Sequence, residues 1–387
     1  MKGFYGFTRE DGSAGIRNYI AVIPTVFCAN EVVAEICKGN AIARPLIHNE
    51  GCGQVGFDIR IVTKILIGMG LNPNSGAVLL VSLGCEGVSI EEVHQAIKKE
   101  KKWVEKISIH KSGGMKRTIK EGHRIIKEMS HYLSRQKRVL QPFEKMRLAI
   151  KCGSSDTSSG IAANPATGKA VDDLIDLGVT VVFGETTELI GAEKILMERC
   201  FDDAVRKKLI KIIEDMERGI TKTVFEIRGT QPSPGNIAGG LSTIEEKSLG
   251  AISKSGSKTI MDILEYGDRV TGSGLYIMDS PGKEDEYLTG VCSCGANIVV
   301  FTSGGGAPQG FPLIPVIKVA SNPKKVQAMR EHVDIDVSGI LTGNERLANA
   351  SQRIKKKIFK VCSGEEVAAE RNRYDRTVGI YTKYPTI

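Results

Sequence analysis

Three cysteines stand where a parallel sheet would bring them to a common edge. Cys52, Cys85 and Cys152 each follow a short apolar, strand-like segment, and each lies in a glycine-flanked turn: HNEGCGQ, LGCEG and KCGSSDTSSG. Open α/β sheets bind their ligands at the carboxyl ends of their strands. Three soft, ionisable side chains at such positions predict one metal-centred active site, so an enzyme is the leading hypothesis.

Nitrogen and oxygen donors accompany these sulfurs. His48 precedes Cys52 by four residues across a glycine-rich turn, Glu50 lies between them, and Glu86 directly follows Cys85. Such a mixed ligand set suits iron, manganese or zinc better than calcium or magnesium. A closed structural zinc site is disfavoured, because such sites usually take paired cysteines from one compact knuckle. Packing in a core is the alternative for each cysteine, since free cysteine is among the most buried residue types.

The other cysteines carry weaker signals. Cys292 and Cys294, separated by one serine, fit neither a zinc knuckle nor a redox C-x-x-C motif, so packing and a site role both stay open. Four more lie on or beside helix-like and strand-like segments and are expected to be structural: Cys28, Cys37, Cys200 and Cys362. Nine cysteines without a recognisable secretion signal favour thiols and metal ligands in a reducing, cytoplasmic compartment.

Two glycine-containing turns are candidates for binding an anionic substrate. The stretch GSSDTSSG, residues 153–160, precedes a helix, whose free backbone N–H groups and dipole can hold a carboxylate. A solvent-exposed flexible loop is the alternative. The glycine triplet 304–306 follows the strand-like ANIVVFTS but departs from the dinucleotide fingerprint and the P-loop, so a nucleotide role is not supported. His110 ends another strand-like segment and shares this strand-end position.

The elements that must position these residues alternate along the chain. Strands are predicted at 19–26, 43–47, 77–82, 104–109, 148–150 and 180–183, with helices at 30–38, 58–69, 115–135, 170–177 and 192–218. Ser89 with Glu92 and Ser242 with Glu245 have the spacing of capping boxes. This alternation predicts an α/β protein of two Rossmann-like domains with mainly parallel sheets, residues 1–140 and 141–387, and a site at the carboxyl ends of the strands between them.

Composition narrows the possible partners. The 387 residues carry a net charge of +8, with 41% hydrophobic, 25% charged and 5% aromatic residues. Lysine and arginine are interleaved with glutamate, and no aromatic-basic surface suited to stacking bases is evident, so nucleic acid is not expected. No apolar run approaches the roughly 20 residues that span a bilayer, so no membrane association is expected either. An anionic small substrate fits the charge.

The motifs together resemble a known enzyme family. The motifs that carry the resemblance are spread over nearly the whole chain: GFTREDGSAGIRNYIAVIPTV, HNEGCGQ, LGCEG, KCGSSDTSSGIAANPATG, GNIAGGLSTIEEKSLGAISKSG, MDSPG and IPVIKVASNP. These segments resemble the catalytic part of the altronate and galactarate dehydratases, and the resemblance extends to the large subunit of sulfolactate sulfo-lyase, which expels sulfite instead of water. It implies dehydration of an aldonic or aldaric acid with Fe²⁺ or Mn²⁺. Because the match starts directly at the catalytic part, the resemblance also implies a separately encoded small subunit with a SAF-like domain, in an oligomer.

The resemblance and the residues together suggest roles within the site. The metal would be held by His48, Cys52, Cys85 and Cys152. Glu86 or His110 would be the base, with Lys151 as a further catalytic candidate. The substrate would be bound by Ser154, Ser155, Asp156, Thr157, Gly304 and Gly305. An iron–sulfur cluster on the same three cysteines is the alternative to a single ion, and a non-catalytic ligand-binding scaffold is the alternative to an enzyme.

Overall fold

The computed structural model describes residues 3–221 and 231–387 and shows two parallel sheets covered by helices, which confirms the predicted α/β class. The strands are β1 (Phe4–Thr8), β2 (Ala14–Gly15), β3 (Tyr19–Pro24), β4 (Ala43–Pro45), β5 (Ser75–Ser82), β6 (Val104–Ser108), β7 (Val139–Gln141), β8 (Arg147–Gly153), β9 (Thr180–Phe183), β10 (Ile260–Leu264), β11 (Gly274–Met278), β12 (Ile298–Ser303), β13 (Val316–Ala320) and β14 (Ile335–Asp336). The helices are α1 (Asn30–Cys37), α2 (Gly56–Leu71), α3 (Ile90–Lys99), α4 (Ile109–Ser112), α5 (Met115–Ser134), α6 (Asn164–Ile175), α7 (Glu193–Glu198), α8 (Asp203–Thr221), α9 (Pro234–Ala238), α10 (Ile244–Ile252), α11 (Glu284–Cys294), α12 (Pro323–Ala328), α13 (Leu347–Cys362) and α14 (Ala368–Arg371).

The N-terminal sheet has the strand order β4-β3-β5-β6, and every pair in it is parallel. The strand β3 is buried along its whole length, as its continuous apolar sequence YIAVIP requires when helices cover both faces. From β3 the chain moves outward to β4 and then returns across β3 to form β5. This reversal is a topological switch point, so the carboxyl ends of β3 and β5 border a crevice suited to a ligand.

The C-terminal sheet has the order β10-β11-β9-β8-β12-β13-β14 and is parallel throughout. From β8 the chain moves to β9 on one side, whereas β12 pairs with the other side of β8. The second switch point therefore lies between β8 and β12. The segment that begins at Cys152 leaves one of these strands, and the glycine triplet 304–306 leaves the other.

A third, small sheet was not anticipated from the sequence. Its strands pair antiparallel in the order β2-β1-β7, with Phe4 opposite Gln141. The strand β7 crosses the domain boundary that the sequence pattern predicts between residues 140 and 141. Its three residues are too few for the alternation of apolar and polar side chains to be recognised.

The two parallel sheets share a hydrophobic core through α2 and α11, which pack against each other. The last turns of the two helices are joined by Asn72, which directly follows α2. Its side chain donates to the carbonyls of Cys292 and Ala296 at the end of α11, each at 2.8 Å. At the start of α2, Asp58 accepts the backbone N–H groups of Lys383 and Tyr384 at 2.9 and 2.8 Å. The carboxyl-terminal ends of α2 and α11 therefore lie next to each other within the core that the two sheets share.

Local details refine several sequence predictions. Ser89 caps α3 by accepting the Glu92 N–H at 3.3 Å, as expected. The next expected cap is shifted by one residue, because Thr243 accepts the Glu246 N–H at 3.2 Å. The helices predicted over 192–218 are α7 and α8, and Cys292 and Cys294 pack in the shared core. In the described part of the chain, no helix is both long and apolar enough to cross a membrane.

Candidate active site

The side chains at the second switch point form a connected polar network. Cys152 lies at the end of β8, where its sulfur is 3.2 Å from the Ser155 hydroxyl and 3.5 Å from the Asn164 amide nitrogen. The amide oxygen of Asn164 accepts the Thr302 hydroxyl of β12 at 2.5 Å, so it bridges the two strands. Burial raises the pKa of the Cys152 thiol, which therefore stays protonated near neutral pH.

Four buried charges lie behind this network. Glu185, just after β9, accepts the Lys151 ammonium at 2.5 Å and the Lys254 ammonium at 3.0 Å. Its carboxylate also accepts the backbone N–H of Cys152 at 3.0 Å. Lys254 reaches a second carboxylate, Glu188, at 2.9 Å. Buried charges persist only when they are paired and hydrogen-bonded, and here two lysines and two glutamates satisfy one another.

The two glutamates titrate in opposite directions. Burial alone would raise the pKa of Glu185, but Lys151 and Lys254 outweigh it and lower that pKa below the usual range. Burial and the neighbouring negative charge of Glu185 raise the pKa of Glu188. Paired carboxyls with opposite shifts commonly divide acid-base work between a permanent charge and a proton carrier. In this pair, Glu188 is the carboxyl with the raised pKa, and Glu185 is the one whose charge is stabilised.

An open cavity of about 530 Å³ gives Glu188 access to a ligand. Polar groups that line it come from the 153–156 loop, from the turn after β9, from α10, and from the starts of α11 and α12: Ser155, Asp156, Glu188, Lys247, Glu284 and Lys325. Lys151 and Lys254 do not line it, so only one charged member of the buried network faces the cavity. The two lysines that do line the cavity, Lys247 and Lys325, can attract an anion, while Glu188 can exchange a proton.

The 153–158 loop is held in shape by Asp156. The carboxylate accepts the Ser158 hydroxyl at 2.6 Å, the Ser159 N–H at 2.9 Å and the Asn322 amide at 2.9 Å. Gly304 packs directly against it, because a Cβ at this position would lie 1.9 Å from Asp156 Oδ1. Asp156 thus lines the cavity and also fixes the loop that forms its wall.

The structure brings most of the expected substrate-binding residues to this cavity. Its lining includes Ser154, Ser155, Asp156 and Gly305, and the Gly305 N–H donates to the Ser154 carbonyl at 2.9 Å. Thr157 lines a neighbouring cavity of about 210 Å³ instead. Gly304 contributes close packing against the loop.

Replacement of Gly304 by alanine should show how tightly the loop is packed. We expect the added methyl to push the Asp156 carboxylate away and to lower the free energy of unfolding by about 1–3 kcal/mol, the usual cost of overpacking. Gly219→Ala is the matched control, because a Cβ there meets nothing within 4 Å on the exposed face of α8. Urea unfolding measures both variants, and equal stability would show that the loop yields easily.

Glu86 and His110 lie at the other sheet, on the carboxyl edge that carries Cys85. Both Glu86 oxygens are engaged, one with the Thr25 hydroxyl at 2.6 Å and the other with the Gly84 N–H at 2.6 Å. His110 is exposed beside Gly84, where a Cβ would lie 2.8 Å from its Nδ1. Of the three expected catalytic residues, only Lys151 belongs to the network behind the cavity.

His48 is already fully engaged by the backbone. Its Nε2 lies 2.8 Å from the Pro24 carbonyl, and its Nδ1 accepts the Glu50 N–H at 3.1 Å. Burial lowers the pKa of His48 to about 4, so the ring is neutral near pH 7, with no free lone pair for a metal. Within residues 3–221 and 231–387, no group of three or more His, Cys, Asp or Glu side chains is arranged to hold a metal ion. His48 and Cys152 therefore do not join Cys52 and Cys85 in one ligand set.

Of the four residues that form the buried network, only Lys151 was singled out from the sequence. Glu185 and Glu188 follow the strand-like TVVF in the segment GETTE, and Lys254 lies in AISKSG. The strand-end rule that drew attention to the cysteines applies equally to these two glutamates. Lys254 had no comparable signal, because it reaches the site from the turn after α10.

Comparison with known proteins places this site in a family. Residues 143–386 match the model of the C-terminal domain of D-galactarate/altronate dehydratases, and residues 6–134 match the second domain of D-galactarate dehydratase/altronate hydrolase. The chain is 37% identical to (2R)-sulfolactate sulfo-lyase subunit beta of Chromohalobacter salexigens, over 96% of this chain and 95% of that protein. It is 32% identical to altronate dehydratase of Bacillus subtilis, over 96% of this chain and 76% of that protein. It is 31% identical to galactarate dehydratase (L-threo-forming) of Escherichia coli, over 94% of this chain and 73% of that protein. The chain therefore belongs to the D-galactarate/altronate dehydratase family.

Proposed function

We propose that this chain catalyses β-elimination from a 2-hydroxy acid, dehydrating a sugar acid such as altronate or galactarate to a 2-keto-3-deoxy acid. The observation that carries the proposal is the placement of Glu188, a buried carboxylate with a raised pKa that lines a cavity at the β8–β12 switch point. Family membership supports the reaction class. The cavity supports the assignment of this site to the chemistry.

The reaction needs a base next to an anion-binding surface. The base removes the proton from the carbon beside the substrate carboxylate, and the electron pair of that C–H bond forms a C=C bond. The leaving group departs from the next carbon with its electrons, and hydroxide takes a proton to become water. The resulting enol tautomerises to the 2-keto acid. Negative charge builds on the carboxylate during proton removal, so fixed positive charge nearby lowers the barrier.

The residues of the cavity divide this work. Glu188 takes the proton, and Lys254 orients it by holding one of its carboxylate oxygens at 2.9 Å. Lys247 and Lys325, which line the cavity, bind the substrate carboxylate and offset its growing charge. Lys151 acts indirectly, because it contacts Glu185 rather than the cavity. This assignment replaces Glu86 and His110 as base, since both lie at the carboxyl edge of the N-terminal sheet.

The Fe²⁺ or Mn²⁺ ion implied by the resemblance does not fit the ligand set expected from the sequence. Both His48 nitrogens are hydrogen-bonded, and Cys152 is a protonated thiol held by Ser155 and Asn164. The proposed steps therefore use no metal ion bound to the predicted ligands His48, Cys52, Cys85 and Cys152.

Elimination of sulfite from sulfolactate is the second candidate. The match to a sulfo-lyase beta subunit, at 37% identity over nearly the full length of both proteins, favours it. Proton removal beside the carboxylate would be the same, and sulfite would leave in place of water. The name of that relative also supports our proposal that this chain works with a separately encoded small subunit, the SAF-like partner expected from the resemblance.

One assay separates these possibilities. Enzyme purified from its native host with any bound subunits is supplied with altronate, galactarate or sulfolactate, and both 2-keto acid and sulfite are measured. We expect 2-keto acid without sulfite from a sugar acid. Sulfite from sulfolactate would select the second candidate, and absence of 2-keto acid from all three would favour a ligand-binding scaffold. A small subunit that copurifies would support the proposed assembly.

A further inference from the structure

A second polar cavity lies at the edge of the N-terminal sheet where its strands begin. This Lys102 cavity has a volume of about 360 Å³ and is lined by the turn after β1, the start of β5, the segment before β6 and the end of α5. It shares no lining residue with the cavity at Glu188. The charge of Arg147, the first residue of β8, interacts with that of Asp11 in its lining, whereas Cys152 of the same strand lines the Glu188 cavity. At about 3.3 Å per residue, Arg147 and Cys152 are roughly 17 Å apart along β8, so the two cavities are separate sites.

Positive charge is in excess around the Lys102 cavity. Four cations interact electrostatically with the one carboxylate of Asp11: Arg9, Lys102, Arg147 and Arg269. Asp11 already accepts the backbone N–H and the hydroxyl of Ser13, at 3.0 and 2.6 Å. Within residues 3–221 and 231–387, its one ion pair is with Arg269, at 3.5 Å. A single carboxylate therefore faces a fourfold positive charge, and desolvated charges are costly unless they are paired.

Loss of a proton from Lys102 does not remove this excess. Burial and the charge of Arg9 lower the pKa of Lys102 well below its ordinary value, so this ammonium releases its proton more easily. The three arginines remain charged near pH 7, because even the buried Arg9 has its pKa lowered only to about 10. Two positive charges therefore stay uncompensated when Lys102 is neutral, and three when it is charged.

The exposed rim of the cavity does not supply the missing negative charge. Lys98 and Lys101 line it together with Glu10 and Glu100, and all four side chains are exposed. Their charges cancel, and exposed charges are well screened by water and salt. The excess therefore belongs to the interior of the cavity.

Hydrogen-bond donors of the cationic cluster also lack acceptors. Lys102 Nζ donates to the Asn72 carbonyl at 2.7 Å, which in the described residues is its one hydrogen bond, although an ammonium has three N–H groups. Arg147 Nη1 is buried without a partner in the same part of the chain. The Arg9 guanidinium donates to two carbonyls and two side-chain amides at 2.7–3.2 Å, all of them neutral. Lys102 thus lines the cavity with donors that an anion can accept.

We propose that the Lys102 cavity binds a small oxyanion with at least two negative charges, a phosphorylated or polycarboxylate metabolite, with Lys102 as its direct ligand. Such an anion supplies both the missing countercharge and the missing acceptors, and the volume is within the usual range of small-molecule sites. Asp11 lies between the strands of the small sheet, Lys102 precedes β6, and Arg147 begins β8. An anion at this junction therefore stabilises the contact of all three sheets.

The chain contains its own probe for this binding. Trp103 is the one tryptophan in the sequence, and it lines the cavity next to Lys102. The full chain is titrated with inorganic phosphate or with citrate, against sodium chloride at equal ionic strength, while tryptophan fluorescence is recorded. We expect a saturable change with at least one of the two anions and a higher Tm in its presence, because a ligand that binds the folded state stabilises it. A response to phosphate alone would identify a phosphorylated ligand, and a response to citrate alone a polycarboxylate.

Substitutions locate the bound anion. Lys102→Met should weaken binding roughly tenfold or more, the usual effect of losing a hydrogen bond to a charged group. Lys127→Met removes the same charge from an exposed position of α5 and should bind like wild type. Lys325→Met removes a cation of the Glu188 cavity and should also bind like wild type, which separates the two cavities. Circular dichroism checks folding, and Arg269→Gln, which should also weaken binding, replaces Lys102→Met if that variant does not fold.

Three results would overturn the proposal. The first is a fluorescence signal that neither phosphate nor citrate changes in a saturable way. The second is an equal change with sodium chloride, which would indicate screening of charges alone. The third is unaltered affinity in Lys102→Met, which would place the anion elsewhere. Since none of these measurements involves turnover, their failure would leave the proposed elimination reaction untouched.

Discussion

Glu188→Gln should reduce kcat by about a hundred- to ten-thousand-fold, the usual contribution of a general base. The amide keeps the shape of the side chain and can still accept the Lys254 ammonium, which lies 2.9 Å from the carboxylate. The fold and the KM should therefore change little, while the capacity to take a proton is lost. Steady-state kinetics on a sugar acid, followed through 2-keto acid formation, measures both constants.

Two comparisons keep this prediction specific. Glu198→Gln makes the same chemical change ten residues further on, at an exposed position outside the cavity, and should leave kcat unchanged. The raised pKa of Glu188 also predicts that wild-type kcat falls, as pH decreases, at a higher pH than an ordinary glutamate would give. A Glu188→Gln enzyme with near-normal kcat would place the base elsewhere.

Glu185→Gln should produce the largest loss of stability among the substitutions considered. The change leaves Lys151 and Lys254 buried without the carboxylate that they share. Removal of one partner from a buried ion pair typically lowers the free energy of unfolding by about 3–5 kcal/mol. Urea unfolding at neutral pH measures this loss.

The matched control is a carboxylate of an exposed pair. Asp215→Asn removes a contact of 2.5 Å to Lys211 in which both side chains are solvated, and exposed pairs contribute only about 0–1 kcal/mol. Equal losses in the two variants would contradict the importance of the buried network.

The stabilisation by Glu185 should also depend on pH in a defined direction. Its pKa is lower in the folded state than in the unfolded chain, so its contribution is fully present above the unfolded pKa. That contribution disappears as pH falls through the lowered pKa of the folded state. The gap in stability between wild type and Glu185→Gln should therefore narrow in strong acid, and a gap that widened there would contradict the assigned shift.

The fold was largely predictable because its two sheets follow simple rules. Short continuous apolar runs such as 19–24 and 77–82 are typical of strands buried on both faces, and the alternation with helices favours parallel pairing. The small antiparallel sheet was missed, because β7 is only three residues long and shows no recognisable alternation of apolar and polar side chains. The cap at Thr243 was misplaced by one residue, because Ser242 offers the same kind of hydroxyl.

The candidate site was predictable only in part. Strand-end position drew attention to the 152–156 loop and to Gly305, which line the cavity, and to Lys151, which pairs with Glu185 behind it. It did not reveal that the two carboxyl edges carry different groups, buried charges on one and exposed thiols on the other. That division depends on which side chains tertiary packing buries and which it leaves exposed, and neither motif spacing nor periodicity reports this.

The most direct test follows the hydrogen on the carbon beside the substrate carboxylate. A sugar acid deuterated at this carbon is converted by the natively purified enzyme in ordinary water, and NMR reports the 2-keto acid and its label. We predict that the deuterium passes to solvent as the 2-keto acid forms, and that Glu188→Gln forms almost none. Complete transfer of the deuterium to the adjacent carbon of the product, or an undiminished rate in Glu188→Gln, would contradict proton removal by Glu188.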